Sequence, residues 1–180
     1  MVTAYAGDND GSGALPSVSA LLRAFRSATV PPGDHPVLEA ARQLVRCHES
    51  RRHAYRDAHA PQVSSDRVAS CSQLVDDIDR ERAELVERIN TWVADNVVHR
   101  EGASLHTETL GAVIDRMAGK WVSAHHALGI PASNSPVREF PATGLAGEAH
   151  LHWVRLAELA DGYKDLITDI AEHRRRLPVF

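Results

Sequence analysis

Aromatic side chains make up only 5% of this 180-residue chain. A core with so few rings must be filled by Ala, Leu, Val and Ile, which suits close helix packing. Lysine is scarcer: Lys120 and Lys164 are the only two among the 20 basic residues. The net charge is −4, so there is no basic footprint for nucleic acid. The run Arg174-Arg175-Arg176 is local and falls where a helix C-terminus favours cations. Cysteine is limited to Cys47 and Cys71, without CxxC spacing, so both are expected as free, buried thiols in a reducing cytoplasm. No apolar run approaches ~18 residues, which argues against a membrane span. No basic start is followed by an apolar stretch, which argues against a signal peptide.

What remains is ordinary globular material: 43% hydrophobic and 24% charged residues, in a length that fits one domain. Residues 1–15 are rich in Gly and Asp and read as a flexible tail; 16–180 read as a single domain. "GDNDGSG" in the tail has the wrong acidic spacing for a calcium loop, with Ser19 where the closing Glu is needed. A short helix is expected over about 17–28, before "VPPG" breaks it. Four long helices follow, over about 34–60, 64–98, 107–128 and 145–176. Pro61, the turn "HREGAS", and Gly129 with Pro131 separate them. A loop over 129–144 carries three prolines and no periodicity. The fold class is all-α: an up-down-up-down four-helix bundle with a short extra N-terminal helix. No alternating strand pattern is visible.

The apolar stripes of these helices carry polar residues. The first long helix continues Val37, Ala41, Leu44 and Val45 into His48, Arg52, Tyr55 and His59. In the second, Arg82 interrupts a stripe between Ile78 and Leu85 and is expected to pair with Asp115 or Glu108, since an unpaired buried charge is costly. The third leads to His125, with Glu108, Asp115 and His126 on an adjacent face at near-eclipsed spacing. The fourth places His152 beside Trp153. Up-down topology gathers His48, His53, His59, His125, His126, His150 and His152 on one half of the bundle, under the 129–144 loop, which would serve as a lid.

Each of these residues alone is more often a satisfied core or surface group than a functional one. Their coincidence on four helices is what points to a polar pocket. Metal binding fits poorly: a di-iron bundle needs Glu-x-x-His on two helices, and neither Glu49 nor Glu148 supplies it. No metal and no cofactor are expected. Proton transfer by a His held by a carboxylate, with Arg binding an anionic substrate, fits better.

Three stretches, "LVDDIDRERAELVERINTWV", "HTETLGAVIDRMAGKWVSAHHAL" and "RLAELADGYKDLITDIAEHRRRLPVF", resemble a bacterial family, the domain of unknown function four-two-five-four, over about residues 35–178. The most specific part is Glu108, Thr109, Gly111, Val113, Ile114 and Asp115; Arg82 with Leu85 and Glu87, and His48, also match. The chain departs at Tyr55, Ala58 and His59, where the family has a Trp and then a Glu-Asp pair. The resemblance implies an all-helical cytoplasmic protein and supplies no reaction.

The expectation is a cofactor-independent acid–base enzyme or ligand-binding protein of small-molecule metabolism. His48, Glu108, Asp115, His125 and His126 are the candidate catalytic groups; Arg52, Tyr55, Arg82 and His152 are the candidate ligand-binding groups. The alternative is a non-catalytic helical interaction protein or homodimer whose polar stripe residues are buried ion pairs fixing helix register.

Overall fold

A computed structural model describes residues 14–27, 35–129 and 146–178. Helix α1, Val18–Arg26, starts at Ser17, whose side chain accepts from the Ala20 amide. It buries Leu21, Ala24 and Phe25 on one face. Helix α2, Pro36–Ala58, carries Pro in its first turn and is capped by His35, whose Nδ1 accepts from the Val37 amide. Helix α3, Ser65–Asn96, is capped by Ser64. Helix α4, Leu110–Ala127, is capped by Thr109 and ends at Gly129, which has φ +68°. Helix α5 is Ala146–Ala171.

The described residues are all-α apart from two short pieces. Ser104–Leu105 (β1) pairs in parallel with Arg175–Arg176 (β2), through Ser104 N–H to Arg174 O and His106 N–H to Arg176 O. Two residues are too few to show alternation, so the sequence carries no signal for them. The fourth long helix is thus shorter than its expected end at 176. It stops in a Schellman turn: His173 takes φ +56°, Arg174 N–H reaches back to Asp169 O, and His173 N–H to Ile170 O. The Arg174 guanidinium then bonds the Asp169 carboxylate at 2.7 Å. Leu15, expected in the flexible tail, is half-buried against the core instead. Residues 1–13 of that tail, and all of the expected 129–144 lid except Gly129, lie outside the described residues.

The core lies among all five helices. Leu44, Ile89, Ile114 and Met117 are fully buried within it. Helix α2 packs against α1, α3 and α4, while α4 packs against α2, α3 and α5. Helix α1 reaches from α2 to α5, where the buried Tyr163 hydroxyl donates to Pro16 O at 2.8 Å. Both cysteines are free and buried, as their spacing suggested. One glycine sets the α3–α4 distance. A Cβ on Gly111 would stand 2.5 Å from Val86 O, and the Gly111 amide donates to Asn90 Oδ1 at 3.0 Å. No helix among the described residues is long and apolar enough to cross a membrane.

Candidate functional site

Asp115 sits midway along α4 on the face toward α2 and α3. Arg82, from α3, donates Nη2–H to Asp115 Oδ2 at 2.7 Å and Nε–H to Oδ1 at 3.3 Å. This is the carboxylate pairing that its place on the apolar stripe demands. Glu108 is not the partner. Arg82 also donates Nη1–H to Asp79 Oδ1 at 2.8 Å, an oxygen it shares with Arg51 Nε–H at 2.9 Å. Arg51 in turn reaches the Tyr55 hydroxyl at 3.2 Å and lies over its ring. Opposite Arg82, His48 from α2 donates Nε2–H to Asp115 Oδ1 at 2.8 Å and to its carbonyl at 3.1 Å. The side chains of His48 and Asp115 are each 18% exposed.

The His48 ring can approach because α4 has a glycine there: a Cβ on Gly119 would meet His48 Cε1 at 3.0 Å. Beyond the ring, α2 and α4 form the walls of an open groove of about 590 Å³. Helix α2 contributes Arg51, Arg52, Tyr55 and Arg56 to it, and α4 contributes Ser123 and His126. His59 closes the α2 side. No Asp or Glu is among the described residues that line it. The groove therefore concentrates positive charge on a protein whose net charge is −4.

Hydrogen-bond partners fix which ring nitrogens carry protons. Both acceptors at His48 Nε2 are oxygens without hydrogens, so Nε2 is the donor and the neutral ring keeps its lone pair on Nδ1. Arg52 Nη2–H lies 2.8 Å from His126 Nδ1, and a guanidinium only donates, so neutral His126 holds its proton on Nε2. His59 Nδ1–H donates to Tyr55 O at 2.7 Å. Burial works to raise the Asp115 pKa, but the bonds from His48 and Arg82 outweigh it and hold the carboxyl below its usual range. Asp79 behaves likewise: burial is opposed and overcome by Arg51 and Arg82. His126 is pushed down by burial, then by the charges of Arg52, Arg56 and His53.

Of the residues expected at the site, the structure brings together His48, Asp115, His126, Arg52, Tyr55 and Arg82. Arg82 lies behind the groove and not in its lining. Three others stand elsewhere. Glu108 forms a two-point pair with Arg116, at 2.6 and 2.7 Å. It precedes the cap Thr109, so the helical screw that seemed to align it with Asp115 does not reach it. His125 is next to His126, but one residue on a helix is about 100° of rotation. It faces α5, with its ring 4.2 Å from Trp121 and 5.2 Å from Trp153, and Nδ1–H donating to Trp121 O. Burial lowers its pKa. His152 is half-buried on α5 and does not line the groove; His53 and His150 are exposed. The histidine-rich half thus divides between two faces of α4.

Sequence reasoning missed Asp79, Arg51, Arg56 and Gly119. Asp79 is three residues before Arg82, a spacing that pairs side chains on a helix. Arg51, Arg52 and Arg56 fall within about one and a half turns, which is a readable sign of a cationic patch. Nothing marked Gly119. Among the described residues no three His, Cys, Asp or Glu side chains are grouped to hold a metal ion.

No curated protein and no solved structure matches the chain. The family model described as "Protein of unknown function (DUF4254)" matches residues 38–179, which take in nearly all of α2, every later element through β2 and all the residues of the groove. The chain belongs to that family.

Proposed function

We propose that this protein is a small enzyme of cytoplasmic metabolism that binds an anionic small molecule between α2 and α4 and moves a proton on it with His48. One observation carries the reading: the His48 ring stands between a carboxylate that holds Nε2–H and a groove lined by arginines without a carboxylate. A carboxylate behind an imidazole fixes its tautomer and stabilises the imidazolium that forms when the other nitrogen takes a proton. Arg82 keeps Asp115 charged and prevents it from turning away. The groove's volume is within the range of small-ligand sites, and its guanidiniums suit carboxylate or phosphate groups. His48 Nδ1 is then the general base, and His126 Nε2–H, on the opposite wall, is a donor for the atom that gains charge.

The test works whichever anion is the substrate. Purified protein is incubated with a bacterial metabolite extract in D2O, and the metabolites are read by mass spectrometry. Wild type is expected to consume or deuterate at least one anionic metabolite. His48→Gln should slow that change by about 10²–10⁴-fold, the usual contribution of a general base. If wild type changes no anionic metabolite, the proton-transfer reading falls, and the ion pairs around Asp115 serve helix register alone.

A further inference from the structure

Resting on the reading above, we infer that the anionic group the groove takes is a phosphoryl group, carried by a phosphorylated small molecule, and that Arg52, Arg56 and His126 hold it. The donors come from two walls. Arg52 and Arg56 are one turn apart on α2, and His126 faces them from α4 with Nε2–H free to donate. A planar carboxylate has two oxygens in one plane and suits a single guanidinium fork. A tetrahedral phosphoryl group has three oxygens that diverge, and donors on opposing walls satisfy them.

Charge points the same way. Arg51 is already paired with Asp79 at 2.9 Å. Arg56 has no ion-pair partner among the described residues, and no carboxylate there lines the groove. An uncompensated guanidinium in a groove lined by no carboxylate among the described residues favours an anion. The site is also separated from the base. Gly119, against which His48 lies, and His126 are seven residues apart on α4, about 10 Å along the axis. A phosphoryl group at the His126 end leaves the organic part of the ligand lying toward His48 Nδ1.

Isothermal titration calorimetry at pH 8, where a phosphate monoester is a dianion, tests this with phenyl phosphate, inorganic phosphate and benzoate. Phenyl phosphate is expected to bind most tightly, inorganic phosphate less tightly, and benzoate at least tenfold more weakly than phenyl phosphate. Arg56→Gln, at an exposed position, should cost phenyl phosphate about tenfold while leaving the unfolding midpoint unchanged. Benzoate binding as tightly as phenyl phosphate overturns the phosphoryl assignment and leaves the proton-transfer reading standing. An unchanged phenyl phosphate affinity in Arg56→Gln overturns it as well. Inorganic phosphate binding as tightly as the ester makes free phosphate the occupant and overturns the organic part. No heat with any of the three overturns the phosphoryl site, and the deuterium experiment then decides the wider reading separately.

Discussion

Arg82 donates to two carboxylates at once. Asp79 also has Arg51, but the bonds that Asp115 accepts come from Arg82 and His48. Removing the guanidinium as Arg82→Met leaves Asp115 charged, half-buried and held by His48 alone. The expected cost is about 2–4 kcal/mol, somewhat below the ~3–5 for a fully buried pair, since the pair is 22% and 18% exposed. Urea denaturation of wild type and Arg82→Met measures it, and a change within about 0.5 kcal/mol, as expected of a surface site, would contradict the pairing. Asp115 adds a pH dependence. Its folded pKa lies below the ordinary carboxylate value, so the unfolded chain takes up the proton first as pH falls. The stability it contributes is full above about pH 4 and is lost below that, as pH drops through the folded value. Asp115→Asn should flatten the stability curve below about pH 4, read by urea titrations at each pH.

At the scale of elements, the glycines divide into those that hold helices together and those that do not. Gly111→Ala places a methyl 2.5 Å from the Val86 backbone oxygen, which cannot yield as a side chain tip does. The variant must force α3 from α4, at about 1–3 kcal/mol. Gly162 lies inside α5 with nothing within 4 Å of an added Cβ, so Gly162→Ala should stabilise by about 0.5–1 kcal/mol. Thermal unfolding of the two variants should therefore move in opposite directions, and the same sign for both would contradict the packing described. Helices α2 to α4 were legible because caps and breakers mark them in the sequence: Pro36, Pro61, Ser64 and Gly129. Asp115 with Arg82 was legible as one of two pairings, from a charge on the apolar stripe of α3 and carboxylates on the face beside the stripe of the next helix. The neighbours of His126 were not, because rotation about α4 separates it from His125 by about 100°, which residue counting treats as one step. Glu108 was misplaced because a helical period was carried across the cap into the bend that precedes it. The β1–β2 pair left no trace, since its two residues per strand bond through backbone alone.

For the whole molecule, the histidines that burial holds neutral make stability fall on mild acidification. His125, His126 and His99 all have folded pKa values below the ordinary imidazole value, burial being the first cause in each. The unfolded chain gains protons first, so stability declines as pH falls below about 6.5 and continues down to the depressed folded values. His125→Phe, in a site already lined by Trp121 and Trp153, should reduce that slope, read by urea denaturation at about pH 7.5 and 5. The proposed function rests on His48, held by Asp115 through Nε2 and lying in the wall of a cationic groove. The most direct test is a long-range proton–nitrogen NMR spectrum of the imidazoles, recorded at about pH 8, where each neutral tautomer has its own nitrogen shifts. His48 and His126 are predicted to carry the proton on Nε2, and His59 on Nδ1. A His48 ring protonated on Nδ1, or averaging between both tautomers, would mean that Asp115 does not hold it and would contradict its assignment as the base.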